Sequence, residues 1–349
     1  MQRLWEDSLT ASRAGRWAES ERLLRKIVAS YPTSKPALHN LAVAVIARGD
    51  AVEAEGLFRR ALDLDPACVS SQHGLYRALM TQGRYVEALP LSASRYGNPA
   101  TGMIKPAYAR PEWCGEPLSG KRIAVFPEQG RGDEIQYARF AADLMERGAS
   151  VTWLCHPSLY DLFSESLSCD VVAASGQTQF QSPDLWTTNT DVNGLLGIDR
   201  DQLSGAAYLK AANPLSGGGI GVVTRGRPTH RNDARRSLSA DDAEHLKSVI
   251  GPSVSLHPDD TGFLSFAEIA NIIAGLDLVV TVDTVFAHLA GAMGKPVWIL
   301  IPAIDTDWRW GSSGASSPWY DAARLFRSDG ESWTGAINQI AAALLLASR

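Results

Sequence analysis

The run Asp283-Thr284-Val285-Phe286-Ala287-His288 places a carboxylate, a hydroxyl and an imidazole directly after the apolar segment Leu278-Val279-Val280-Thr281-Val282 and before Gly294-Lys295-Pro296-Val297-Trp298. That order reads as strand, short helix, Gly-Pro turn, strand. A buried parallel strand that feeds a helix N-terminus leaves unpaired backbone N–H groups and a partial positive charge facing a crevice, which suits a diphosphate. Thr284 and His288 share one helix face, so a hydroxyl, an imidazole and free N–H groups can converge on that anion. A lone helical histidine is otherwise most often structural. Asp283 with His288 also invites a Ser-His-Asp reading, but no G-x-S-x-G elbow occurs.

Three further segments carry chemistry. In Glu128-Gln129-Gly130-Arg131-Gly132-Asp133 the glycines Gly130 and Gly132 would let backbone approach a ligand, and Asp133 could take a proton from an acceptor hydroxyl or simply cap the next helix. The segment is no P-loop. Five arginines lie between positions 225 and 236, around His230, with Arg227 and Arg231 as candidate phosphate ligands. The other reading of that loop is a solvated surface. Asp305 and Asp307 satisfy D-x-D, a pattern that recurs by chance, and no metal is expected. Trp308, Trp310, Trp319 and Tyr320 would frame a base or sugar, or pack the last helix.

These segments need a scaffold, and the chain is long enough to supply several domains at 349 residues. Apolar residues make up 45% and charged residues 20%, as in an ordinary globular chain. A net charge of -5, from 38 acidic against 33 basic residues, gives no overall field for nucleic acid, so any anion site must be local. Cys68, Cys114, Cys155 and Cys169 are scattered without a C-x-x-C pair, which indicates neither zinc nor a disulfide framework and fits a reducing cytoplasm. Charges at Arg3, Glu6 and Asp7 fall where a signal peptide needs its apolar region, and the tail from Ile340 to Ala347 is too short to span a bilayer, so neither a leader nor a transmembrane segment is expected.

The first 95 or so residues repeat. Gly15-Arg16-Trp17-Ala18-Glu19, Gly49-Asp50-Ala51-Val52-Glu53 and Gly83-Arg84-Tyr85-Val86-Glu87 are spaced by 34 residues, as are Tyr31-Pro32 and Asp65-Pro66. The period and small-residue positions resemble the tetratricopeptide repeat, with glycine at the turn between paired helices. Three repeats would form either a plain stalk or a concave surface for an extended peptide or another domain, with His39, Asn40, Val43, Gln72, His73 and Tyr76 as inward candidates.

Breakers from Gly97 to Gly120 mark a linker. Beyond it, Arg122 to Phe126 reads as a strand, Glu134 to Arg147 as one amphipathic helix and Val151 to Leu154 as the next strand, a βαβ unit. A second set of alternating elements starts at Gly219 and runs through strands at 254–256, 278–282 and 297–301, with Asn213 to Gly218 as hinge. The expected divisions are repeats over 1–96, a linker over 97–120, an N-terminal Rossmann-like acceptor domain over 121–213 and a C-terminal Rossmann-like donor domain over 214–349.

Taken in order, Glu128-Gln129-Gly130-x-Gly132-Asp133-x-Ile135-Gln136-Tyr137, His230-Arg231-Asn232-Asp233 with Arg236-Ser237, Val282-Asp283-Thr284 with Ala287-His288-Leu289-Ala290-Gly291-Ala292, Gly294-Lys295-Pro296-Val297-Trp298 and Asp307-Trp308-Arg309-Trp310 resemble the tetratricopeptide-fused branch of the heptosyltransferase-like family 9 glycosyltransferases. The resemblance implies a GT-B-like pair of Rossmann-like α/β domains behind the helical repeats. It also implies a nucleotide-sugar co-substrate held mainly by the C-terminal half, with no cofactor or obligatory metal. By position Asp133 matches the acceptor base. Gly130, Gly132, Arg227, His230, Arg231, Asp283, Thr284, His288, Asp307 and Trp308 fall to donor binding. Relatives usually differ at Glu134, Thr224, Arg225 and Arg227.

The expectation is an inverting transferase acting on a protein or surface-glycan acceptor that the repeats present. The alternatives are a degenerate adaptor that uses only its repeats, and a GT-B epimerase that needs no acceptor.

Overall fold

The computed structural model describes residues 2–98, 101–176, 178–230, 232–263 and 265–347, so Arg231 lies outside the described residues. The chain divides into two compact units. One holds residues 2–105 of the described chain together with Asp199–Asp201 and Ala303–Gly314; the other holds Pro106–Ile198, Gln202–Pro302 and the chain from Ala315. The two α/β halves expected as separate domains share this second unit, each with its own sheet.

The repeat unit is a run of paired helices: α1 Gln2–Arg13, α2 Trp17–Ser30, α3 Lys35–Ala47, α4 Ala51–Leu64, α5 Val69–Gln82 and α6 Tyr85–Ala88. Gly15, Gly49 and Gly83 end the first helix of each pair at φ of 70°, 95° and 79°, a left-handed turn that glycine adopts without strain. Ala37, Ala42, Ala44, Ala54 and Ala61 are buried, which lets neighbouring helices approach around Leu38, Leu41 and Phe58. The period recurs in charge. Arg25 bridges Glu21 and Glu53, and Arg59, one repeat on, bridges Glu55 and Glu87. The third repeat departs from the other two, because α6 passes after one turn into a 3-10 segment, Leu89–Arg95, where Pro90 lacks an N–H.

The first α/β half contains β1 Arg122–Phe126, α7 Arg131–Tyr137, α8 Phe140–Glu146, β2 Ser150–Cys155, α9 Tyr160–Ser166, β3 Asp170–Ala173, β4 Leu185–Thr188 and α10 Val192–Leu195. Its strands are all parallel in the order β3-β2-β1-β4. The single helix expected from Glu134 to Arg147 is two. The ladder tightens at Ala138, whose N–H is shared between Glu134 and Ile135 carbonyls, and at Ala141, which bonds back to Ala138 at 3.1 Å. That turn drives Arg139 inward.

The second half contains β5 Ile220–Val223, α11 Asp233–Arg236, α12 Ala240–Ile250, β6 Ser253–Ser255, α13 Pro258–Thr261, α14 Phe266–Gly275, β7 Leu278–Val282, α15 Val285–Ala292, β8 Val297–Ile301, β9 Ala323–Arg327 and α16 Thr334–Ala347. All five strands are parallel in the order β6-β5-β7-β8-β9. β7 is buried along its whole length, and α12 and α16 cover one face of the sheet through Leu246, Ile250, Ile337 and Ile340. The architecture is that of helical repeats followed by a GT-B-like pair of Rossmann-like sheets. Among the described residues no helix is long and apolar enough to cross a membrane.

In each sheet the strand order reverses beside the first strand, between β1 and β4 and between β5 and β7. Open α/β sheets bind ligands outside the carboxyl ends of strands at such switch points. Topology therefore brings the loops after β1, β5 and β7 to binding positions.

Candidate functional site

The loop after β1 is fixed from beneath. Glu128 N–H donates to Asn189 Oδ1 at 3.0 Å, and Thr190 Oγ1 donates to the buried Glu128 carboxylate at 2.8 Å. Positive φ falls on Gln129, at 69°, rather than on Gly130 or Gly132. Asp133, in the first turn of α7, accepts the Gly130 N–H through Oδ2 at 2.8 Å. It therefore does the capping work that the sequence allowed, and this bond also fixes the orientation of its carboxylate.

Gly132 has a different purpose from the one its type suggested. The neighbour that comes close to its backbone is the ring of His288 on α15: a Cβ added at Gly132 would stand 2.8 Å from His288 Cδ2. The two halves thus meet where α7 and α15 begin, and Asp133 is the residue next to the contact. His288 is buried, with Nδ1 2.9 Å from the Tyr320 hydroxyl. Thr284, also buried, turns its hydroxyl to Thr281 Oγ1 at 3.2 Å.

Beneath this seam sits Arg139. Its guanidinium lies over the rings of Tyr208, Trp319 and Tyr320, at 4.6, 5.4 and 5.2 Å, and donates to the carbonyls of Gln136, Ser204 and Trp319. Tyr208 closes the network by donating to the Ile135 carbonyl at 2.8 Å. A mostly buried cation needs such donors' partners and aromatic faces. Trp319 and Tyr320 are fully buried here, so of the two roles open to them in the sequence the structure shows packing.

On the second half, Arg236 Nη1 donates to the Asp283 carbonyl at 3.0 Å, which ties the loop after β5 to the loop after β7; its Nε pairs with Asp233 at 3.3 Å. Arg225 is neutralised by Asp260 at 2.6 Å. Arg227 and His230 are exposed.

Asp307 and Trp308 belong to the repeat unit. Asp307 Oδ1 accepts the Arg309 N–H at 3.0 Å and pairs with its guanidinium, while Trp308 packs edge-on against Tyr85 with centroids 5.7 Å apart. Asp305 N–H donates to the Ala47 carbonyl at 2.9 Å, so the D-x-D segment is stitched to α3. Two of the inward candidates of the repeats are engaged: His39 meets Ser71 Oγ at 3.1 Å and the edge of Phe58, and Tyr76 is buried under Arg95. Cavities of about 580 and 350 Å³ lie in this unit.

Two residues beside the site have partners that sequence reasoning did not assign, Glu134 and His156. Glu134 is buried, and its Oε2 accepts the His156 N–H at 2.7 Å from the loop after β2. Burial pushes its carboxyl up to about 7, with the charge of Asp133 adding to the effect against the His156 N–H and Arg131. His156 receives Arg131 Nη2 at its Nε2, 2.6 Å away. A guanidinium is donor-only, so Nε2 faces a donor, while Nδ1 accepts the Ser158 N–H at 3.2 Å and lies 2.8 Å from Ser158 Oγ. Burial, then the charges of Arg131 and Arg227, hold the imidazole below its usual range, which keeps it neutral. Nothing in residue spacing could flag His156, which is 22 positions from Glu134 and joined to it only across β1 and β2.

Residues 11–79 match the tetratricopeptide repeat family, and residues 239–303, which include Asp283, Thr284 and His288, match glycosyltransferase family 9 (heptosyltransferase). No curated protein sequence matches the chain. Similar solved structures include E. coli heptosyltransferase WaaC with ADP-2-deoxy-2-fluoro heptose, at 13% identity and a TM-score of 0.43, covering 64% of this chain and 99% of that one. A Thermobaculum terrenum O-GlcNAc transferase is 15% identical, with a TM-score of 0.32, over 97% of this chain and 81% of its own. MamA RS-1 is 23% identical, with a TM-score of 0.26, over 28% of this chain; the chain spans 56% of MamA's length. One polypeptide thus carries a segment that matches the tetratricopeptide repeat family and, behind it, a segment that matches glycosyltransferase family 9.

Proposed function

We propose that the protein is an inverting glycosyltransferase that moves a sugar from a nucleotide-sugar donor to a protein or surface-glycan acceptor presented through its repeats, in the cytoplasm and without a metal cofactor. The observation that carries this reading is the Gly132–His288 contact. It sets Asp133, on the first half, beside the start of α15, on the second, within the segment of family 9 type.

In this mechanism Asp133 deprotonates the acceptor hydroxyl, which attacks the anomeric carbon from the face opposite the leaving nucleoside diphosphate. Charge grows on that diphosphate as the bond breaks. The N–H groups that open α15, with cations of the loop after β5, would bind it more strongly at that moment than before. Gly130, Arg227, His230, Asp283 and Thr284 are the residues proposed to line the donor side.

The rival adaptor reading drew on unusual residues at Glu134, Thr224 and Arg225. Two of the three have structural partners: Glu134 accepts the His156 N–H, and Arg225 is paired with Asp260. Those two therefore lend lost catalysis little support.

The test is release of nucleoside diphosphate from a panel of nucleotide sugars. Turnover above the spontaneous rate, slowed by about 10²–10⁴ in the Asp133→Asn variant, is expected. Nucleotide binding with no turnover of any donor would favour the adaptor.

A further inference from the structure

β1 and β4 leave their sheet side by side. Phe126 and Thr188 are in register at the carboxyl ends of these parallel strands, so Glu128 and Asn189 follow them out together where the strand order reverses. Side chains of the second loop then grip the first. Asn189 Oδ1 accepts the Glu128 N–H at 3.0 Å, and Thr190 Oγ1 donates to the Glu128 carboxylate at 2.8 Å. The loop after β4 is itself braced, as a 3-10 turn over Asn189–Asp191 in which Thr188 Oγ1 donates to Asp191 Oδ2 at 3.2 Å.

This grip is costly, and its costs converge on the chain that leads to Asp133. Glu128 is a buried carboxylate. Gln129 stands at φ of 69° without the freedom of glycine. Because Asn189 Oδ1 is taken by the Glu128 N–H, the buried Nδ2 is left as a donor with no hydrogen-bond partner among the described residues. Strain and unmet polar groups gathered in one loop point to a use for the geometry they enforce. Beyond the left-handed turn at Gln129, the Gly130 N–H meets Asp133 Oδ2 at 2.8 Å. The direction of that carboxylate therefore depends on where Gly130 stands.

We propose that Asn189 and Thr190 are positioning residues for Asp133, acting through Glu128, Gln129 and the Gly130 N–H. The role deepens the transferase reading and rests on it for the task of Asp133 as base. A carboxylate that rotates freely spends little of its time aligned with an acceptor hydroxyl, whereas one held through Oδ2 presents Oδ1 in a single direction. Neither Asn189 nor Thr190 has to touch a substrate for this.

Hydrogen exchange at the Gly130 amide, resolved by NMR on the full chain, follows the tether without any sugar donor. Thr190→Val removes the hydroxyl with little change of shape, and Asn189→Ala removes the acceptor. Each should speed Gly130 exchange by about tenfold or more, while Thr190→Ser, which keeps the hydroxyl, should exchange as the native chain does. Should Asn189→Ala fail to fold, the Thr190 pair decides. With whichever nucleotide sugar the native chain turns over, Thr190→Val and Asn189→Ala should lower kcat by about 10–10² at unchanged KM, and Thr190→Ser should restore it. A purely structural role would lower the melting temperature and leave kcat of the folded protein as it is. Native exchange at Gly130 in Thr190→Val, or faster exchange with kcat unchanged, overturns the proposal. A native chain that turns over no nucleotide sugar sinks the transferase reading alone, and Gly130 exchange then still decides whether the loop after β4 holds the Asp133 hydrogen bond.

Discussion

Gly132 on α7 and the imidazole of His288 on α15 occupy adjoining space with no room for a methyl group between them, since an added Cβ would lie 2.8 Å from His288 Cδ2. His288 cannot easily yield, because Nδ1 is held by the Tyr320 hydroxyl and the residue is buried. Gly132→Ala should gain about 1 kcal/mol of helix propensity but lose about 1–3 kcal/mol to overpacking. The net expectation is a lower melting temperature. Combined with His288→Ala, which opens the space, the same change should no longer destabilise, and a denaturation cycle over the four proteins measures that coupling.

Asp133→Asn separates chemistry from folding. Asparagine keeps an oxygen to accept the Gly130 N–H, now made at 2.8 Å, so the start of α7 should stay intact. A general base contributes typically about 10²–10⁴ in rate. Turnover should fall by about that factor while the dissociation constant for the nucleoside diphosphate is unchanged. Unaltered turnover would remove Asp133 from the role.

The parts legible in the sequence were those governed by local period. The spacing of Gly15, Gly49 and Gly83 fixed the repeats, and the buried apolar run of β7 followed by Thr284 marked a strand entering a helix. The parts that were not legible depend on contacts across the fold. Gly132 reads as a ligand-facing glycine until α15 is brought against it. Glu134 reads as a second carboxylate beside Asp133, yet in a helix successive side chains point in different directions, and this one is buried on His156. Asp307 and Trp308 read as part of the donor half because they follow β8, whereas the chain there belongs to the repeat unit through Ala47 and Tyr85.

The cysteines should differ sharply towards an alkylating reagent. Cys155 is fully buried at the end of β2, and burial, with the charge of Glu134, pushes its thiol up to about 12. Only the thiolate reacts, so at pH 8 the reactive fraction is about 10⁻⁴ even before access is considered. Cys114 is exposed. Mass spectrometry after brief treatment with iodoacetamide should find label on Cys114 and none on Cys155 in the folded protein. Early label on Cys155 would mean that the packing between β2 and α7 opens readily.

Glu134 should give the folded protein a pH dependence of known sign. Its carboxyl ionises at 4.5 in the unfolded chain and at about 7 in the folded one, with burial the main cause. Below pH 4.5 both states hold the proton, and the stabilising contribution is complete. Between there and about 7 the unfolded chain releases the proton while the folded chain retains it, so stability falls as pH rises; above about 7 the curve is flat. The separation corresponds to about 3 kcal/mol over the whole window. Glu134→Gln keeps an oxygen for the His156 N–H and cannot ionise, so its stability should lack this decline. Urea denaturation of both proteins at several pH values between 4 and 8 isolates the effect, because every other titrating group is common to the two. Parallel curves would show that the Glu134 carboxyl is solvated, and the anchoring of the His156 loop would then have to come from elsewhere.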